Sequence, residues 1–292
     1  MTNSQETALV KAGVLAEALP WLLKFQNSIV VIKFGGNAMV NEQLLTQFAE
    51  DVVFLKLAGL KPVVVHGAGP QITDALNQSG IESVFSNGYR VTDDKSIVII
   101  KKVLKNVQNQ LVENINKLRN IAIGVSGDED NVIKAEKKSL LQEGLEIDLG
   151  LVGQISNIDQ EKIIEILENN YIPVISCLGI DKSGNVLNIN ADEGASAMAK
   201  FLGAQKFVLL TDVVGLLENY PDEKSLIPTI SVQDLQKIIP NLDKGMRPKM
   251  EACLDAVANG VSRAHVIDGR KSHALLVEVF TDSGTGTMVV KD

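Results

Sequence analysis

The chain has 292 residues, 45% of them hydrophobic and 22% charged, with a formal net charge of -8. That length buries one large α/β core or two modest domains, and the composition is that of an ordinary soluble globular protein. The negative balance argues against a nucleic-acid binder, which carries a basic stripe, and leaves room for a small anion held by local lysines. Cys177 and Cys253 stand alone, with neither metal spacing nor a disulfide framework, so a reducing, cytoplasmic setting is expected. Residues 1–7 lack the basic start and apolar core of a secretory signal. No apolar run approaches a membrane span, so no membrane partner is expected.

Residues 1–28 read as a separate unit. Leu9, Val10, Val14, Leu15, Leu19, Leu22, Leu23 and Phe25 fall at helical spacing, and Pro20 is predicted to kink or restart that helix. It is either a helix on its own domain or an arm docking on another subunit. Beyond it, apolar runs predict strands at Ile29–Lys33, Pro62–His66, Ile121–Val125, Ile172–Cys177, Phe207–Thr211 and Ala264–Ile267. Helical patterns alternate with them at Asn41–Leu57, Gln71–Gln78, Asp94–Asn120, Gln160–Asn169, Gly194–Leu202, Val232–Ile239 and Met246–Ala258. Such alternation predicts an α/β fold, a mostly parallel central sheet sandwiched by helices. Val132–Ile158 and the terminal Leu275–Val290 read instead as antiparallel hairpins. The turn-rich segment 179–185 suggests a boundary between lobes 29–184 and 185–292, or else one hairpin turn inside a continuous sheet.

The chemistry concentrates where strands end. After Ile29–Lys33 comes the turn Gly35-Gly36 and a helical pattern, and Lys33 can reach any anion cradled there. No G-x-x-x-x-G-K-[ST] run occurs, so this is not a Walker A loop. The pattern recurs at His66-Gly67-Ala68-Gly69-Pro70, which suggests paired helix N-termini at the carboxyl ends of adjacent strands, where open sheets bind ligands. His66, ending an apolar strand, reads as a hydrogen-bonded structural histidine, and His265 and His273 read similarly. Arg90 is a fork suited to a carboxylate or phosphate, or else a surface arginine beside Asp93 as a helix cap. Asn190 and Glu193 have capping-box spacing, while Asp192 in the same first turn is placed to orient a lysine. Lys249 follows Pro248 at a helix start, against the dipole, a modest pointer to phosphate or an ordinary solvated lysine.

Taken in order, Val31-Ile-Lys-Phe-Gly-Gly-Asn-Ala-Met39, His66-Gly-Ala-Gly-Pro-Gln71, Asn87-Gly-Tyr-Arg-Val-Thr92, Asn188-Ile-Asn-Ala-Asp192, Leu209-Leu-Thr-Asp-Val-Val-Gly-Leu216 and Gly245-Met-Arg-Pro-Lys249 resemble the amino acid kinase family. The resemblance runs from about Ala8 to Val290. The Arg90 and Asn188–Asp192 motifs are most like the branch that phosphorylates N-acetyl-L-glutamate with ATP and Mg²⁺ in arginine biosynthesis. It implies that Lys33 and Lys249 flank the transferring phosphoryl group and that Asp192 orients both. It also implies Gly35, Gly36, Gly67, Thr211 and Asp212 on the nucleotide and phosphate side, and Ala68, Gly69, Arg90 and Asn188 on the substrate side. Ala68 departs from a turn often written with three glycines, so its backbone must avoid positive φ or accept strain. No protein-held metal ligand is implied. The arm and the tail resemble the branch inhibited by L-arginine, a homo-oligomer built as a hexameric trimer of dimers. His265, Glu278 and Gly284 match its effector site. Another family member with a different acceptor, or a nucleotide- or arginine-sensing module without turnover, are the competing readings.

Overall fold

The computed structural model describes residues 12–39, 41–142, 145–281 and 284–292. Leu9 and Val10 of the expected arm lie outside them. Residues 12–17 are helical, and the chain turns at Ala18 before α1 (Leu19–Phe25), with Pro20 in its first turn as the restart requires. The elements that follow are β1 (Ile29–Phe34), α2 (Glu42–Leu57), β2 (Lys61–His66), α3 (Gly69–Gln78), the short strands β3 (Phe85–Ser86) and β4 (Tyr89–Arg90), and α4 (Asp94–Leu118). Next come β5 (Ala122–Ser126), β6 (Ile133–Gln142), β7 (Leu145–Ile158), α5 (Gln160–Glu168), β8 (Ile172–Ser176), β9 (Leu178–Ile180) and β10 (Val186–Ile189). The last part holds α6 (Ala191–Phe201), β11 (Lys206–Thr211), β12 (Thr229–Ser231), α7 (Val232–Ile238), α8 (Arg247–Ala258), β13 (Arg263–Asp268), α9 (Ala274–Phe280) and β14 (Thr287–Val290).

Eight strands form one sheet in the order β12-β14-β13-β11-β1-β2-β8-β5, parallel except where β14 runs against β13. Thus the α/β class with a mostly parallel central sheet is as expected. The remaining long strands, β6 and β7, close with β9 and β10 into a small barrel, and residues 181–185 are the turn between β9 and β10. Strand alternation decides what each face carries. Along β1, Val31 joins the apolar cluster under α6 and α8, while Val30, Ile32 and Phe34 join the cluster under α2 and α4. Lys33 therefore projects on the side of α6 and α8. In β11, by the same rule, Lys206 projects on the opposite side, with Val208 and Leu210.

Two expectations are corrected. The terminal Leu275–Val290 is not a hairpin, because residues 274–280 form α9 and only β14 is a strand. Burial of Leu275, Glu278 and Val279 follows the i, i+3, i+4 period of a helix rather than alternation, so Glu278 points inward. The first glycine turn also differs. Gly36, at φ 73°, opens a single 3-10 turn, Gly36–Met39, and α2 begins only after the Asn41 cap. Of the two helix starts expected at the sheet's edge, only that of α3 is there.

Candidate active site

Strand β1 lies where the sheet order reverses, β2 to one side and β11 to the other, and the crevice beyond its carboxyl end is the expected ligand position in such sheets. A cavity of about 250 Å³ opens there. Lys33, Gly35, Gly36, Gly67, Ala68, Gly69, Arg90, Asn188 and Asp192, drawn from four separate stretches of sequence, all line it.

At its floor, the Asp192 carboxylate faces two ammonium groups, Lys33 Nζ at 2.8 Å from Oδ1 and Lys249 Nζ at 3.5 Å from Oδ2. The local folding is set by caps. The Asn190 side chain accepts from the backbone N–H of Asp192 and Glu193, fixing the first turn of α6, and Asp192 also gains from the helix dipole. Asp243 accepts from Gly245 and Met246 N–H just ahead of α8, whose first turn holds Lys249. Burial pushes the Asp192 carboxyl up, but the charges of Lys33 and then Lys249 overcome this and bring it down to about 2. It is an anion at any physiological pH. Lys33 folds back over the turn, where a Cβ on Gly35 would stand 2.9 Å from its Nζ, so only glycine leaves the ammonium its place.

In the second glycine turn, Ala68 has φ -158°, so the side chain brings no positive-φ strain, and α3 starts at the next residue. Arg90 is buried. Its guanidinium donates to Ser83 Oγ, to Gly69 O at 3.0 Å and to Thr73 Oγ1 at 2.9 Å, and it lies 4.6 Å from the Phe85 ring centroid. Asn188 donates to Thr92 Oγ1 at 3.2 Å. Thr211 and Asp212 sit at the carboxyl end of β11, on the other side of β1, outside the cavity lining. His66 is fully buried, its Nδ1 3.2 Å from Gly67 O, and burial pushes its pKa down to about 4. It is a neutral structural histidine.

A second cluster lies on the opposite face of the sheet. His265 Nδ1 is 2.6 Å from Glu278 Oε1, the Thr285 N–H donates to Oε2 at 2.9 Å, and a Cβ on Gly284 would meet Oε1 at 2.9 Å. All three residues matched to the effector site thus converge. The sequence reading missed Lys206, which is buried, 3.5 Å from Glu278 O, with its ammonium 4.5 Å from the Phe25 ring centroid of α1. Burial pushes Lys206 down to about 8. The available signal was a lysine heading an otherwise apolar, fully buried strand.

Residues 28–268 match the profile of the amino acid kinase family, so the chain belongs to that family. It is a kinase, resembling acetylglutamate kinases over its whole length. The one from Beutenbergia cavernae is 49% identical over 100% of this chain and 94% of its own, and that from Corynebacterium glutamicum 47% identical over 97% and 90%. Among solved structures, N-acetylglutamate synthase from Neisseria gonorrhoeae, complexed with coenzyme A and N-acetyl-glutamate, superposes with a TM-score of 0.86 at 23% identity. The match covers 96% of this chain, which spans only 63% of that longer one. Giardia carbamate kinase matches at a TM-score of 0.67 and 17% identity, covering 91% of this chain and 99% of its own. At such identities these two define the fold alone.

The buried His66 makes stability pH-dependent in a definite sense. Between its ordinary value of 6.5 and its folded value of about 4, the unfolded chain binds a proton that the folded chain refuses. Stability from this group is therefore intact above pH 6.5 and is lost as pH falls toward 4, by roughly 3 kcal/mol in all. Denaturant titrations of wild type and His66→Asn across that range should show the loss in wild type relative to the variant. Parallel curves would contradict it.

Proposed function

We propose that this kinase transfers the γ-phosphoryl group of ATP to the γ-carboxylate of N-acetyl-L-glutamate, giving an acyl phosphate in arginine biosynthesis. The observation that carries the reading is the Lys33–Asp192–Lys249 triplet beside a glycine turn and a helix N-terminus. The near 50% identity to acetylglutamate kinases supports the acceptor. A carboxylate of ordinary pKa about 4.3 is already ionised at neutral pH and needs no general base. The barrier is electrostatic, because an anion must approach a triphosphate in line. Lys33 and Lys249 neutralise the charge that spreads over the transferring group, Asp192 holds them apart and aimed, and backbone N–H groups at Gly35, Gly36 and Gly69 complete the cradle. Each fixed donor is worth roughly 3–4 kcal/mol of barrier.

Arg90, held rigid by Ser83, Thr73 and Gly69, is suited to a carboxylate of the amino-acid substrate, and Asn188 to its acetamido or carboxylate oxygens. The nucleotide falls on the β11 side, with Thr211 and Asp212. Residues 29–184 then serve as the acid-binding lobe and 185–292 as the nucleotide lobe. Among the described residues no group of three His, Cys, Asp or Glu side chains could hold a metal ion, and Asp192 is committed to two lysines. A Mg²⁺ carried in with the nucleotide would supply charge neutralisation there.

An ADP-release assay with N-acetylglutamate, glutamate and carbamate tests the reading directly. Turnover should be confined to N-acetylglutamate, and Lys33→Ala or Lys249→Ala should lower kcat by about two to three powers of ten with smaller changes in KM. Preference for another acceptor, or near-normal kcat in Lys249→Ala, would contradict it.

The second cluster supports feedback inhibition by L-arginine at His265, Glu278 and Gly284, with Lys206 at its edge. Glu278 is suited to a guanidinium, and α1 closes over the cluster through Phe25. Val14, Leu15, Leu19 and Leu23 are exposed on the arm, an apolar stripe that favours docking on another subunit in a hexamer. Inhibition would then work by favouring a splayed arrangement of the lobes, a coupling of about 1–3 kcal/mol. Removing residues 1–23 should leave catalysis largely intact, reduce hexamer to dimer in light scattering, and weaken inhibition. A truncated enzyme still hexameric and equally inhibited would exclude the arm as the coupling element.

A further inference from the structure

One cluster at the mouth of the cavity has no part in the scheme above. Tyr89, on the two-strand hairpin β3–β4, donates its hydroxyl to Glu193 Oε1 and accepts from Lys138 Nζ at 2.6 Å. The same ammonium reaches both Glu193 oxygens, at 2.8 and 3.0 Å, and lies 4.2 Å from the centroid of the Tyr89 ring. Three elements distant in sequence therefore meet at one point: Lys138 from β6 of the barrel, Tyr89 from the hairpin, and Glu193 from the first turn of α6. Burial, followed by the Glu193 carboxylate, pushes the Tyr89 phenol far up, so its hydroxyl stays a donor.

The neighbours give this cluster its consequence. Tyr89 precedes Arg90, and Glu193 follows Asp192. Successive residues of a strand point to opposite sides, so Arg90 ties the hairpin to α3 through Gly69 and Thr73 while Tyr89 ties it to α6. The hairpin turn also abuts α8, since a Cβ on Gly88 would meet Pro248 Cγ at 3.5 Å, next to Lys249. Phe85, Gly88, Tyr89 and Arg90 all line the cavity. An isolated pair of two-residue strands has little stability of its own. Moreover, the Glu193 side chain does not turn back on Asn190 as a capping box would; it is spent on Lys138 and Tyr89.

We propose that Lys138, Tyr89 and Glu193 form a latch that positions the β3–β4 hairpin, and with it Arg90, for the acceptor acid. Lys138 does not line the cavity and is a positioning residue. It also cancels the Glu193 charge, which would otherwise face incoming anions beside Asp192. The inference rests on the acceptor reading above, and its test separates the two.

Tyr89→Phe removes one oxygen and keeps the ring. Lys138→Met removes the charge, and Lys138→Arg retains it. Hydrogen–deuterium exchange of residues 85–90 in the full chain should be about tenfold faster in Tyr89→Phe and Lys138→Met, since each breaks a charge-assisted bond. The KM for the acceptor acid should rise about tenfold while that for ATP stays within about twofold, with Lys138→Arg close to wild type. Exchange at the wild-type rate, or a rise in both KM values together, would overturn the latch. The exchange readout does not depend on which acid is phosphorylated. Wild-type turnover of a different acid would therefore sink the substrate assignment alone.

Discussion

Asp192 between Lys33 and Lys249 is the contact on which the candidate site depends. Two ammonium groups converging on one anion-binding spot repel each other, and only a fixed negative charge between them makes the arrangement stable before substrates arrive. That charge is buried, so desolvation opposes it, yet its pKa still falls to about 2 because both cations lie close. Removing one member of such a buried set typically costs 3–5 kcal/mol, since the others are left uncompensated. The triplet also joins strand β1, helix α6 and helix α8, so the same charges that would meet a phosphoryl group tie three elements together at the sheet's edge.

A single parallel sheet supports two separate clusters because strand alternation sends neighbouring residues to opposite faces. Lys33 on β1 goes to the side of α6 and α8, and Lys206 on β11 and His265 on β13 to the side of α1 and α9. The lysine–aspartate cluster sits at the carboxyl ends of the strands, where turns leave room for a ligand. By contrast, Lys206 heads its strand, at the amino end, and is roofed by the Phe25 ring. The distance between them is spanned by close-packed core.

Most of the sheet was legible in the sequence because buried parallel strands are unbroken apolar runs between glycine turns and amphipathic helices. The six strands read this way all belong to the eight-stranded sheet. The losses have physical causes. Residues 274–280 are a short, valine-rich apolar run broken only by Glu278, which mimics a strand, and only packing of Leu275 and Val279 on the core decides for a helix. The strands β3, β4, β9 and β10 have two to four residues each, too short for any period to register. Among site residues, Lys33, Asp192, Lys249 and Arg90 stood out by their places beside turns and helix starts. Lys138 and Tyr89 did not, since a lysine in a mixed strand and a tyrosine in a loop carry no local signal. Their partnership across 49 residues exists only in three dimensions.

The most direct test of this account is the kcat of Asp192→Asn, which keeps the side-chain shape and removes the charge. If Asp192 aims the two ammonium groups, kcat should fall by about two to three powers of ten while both KM values change only a few-fold. A variant with near-wild-type kcat would show that Lys33 and Lys249 need no anion between them, and the central claim would be wrong.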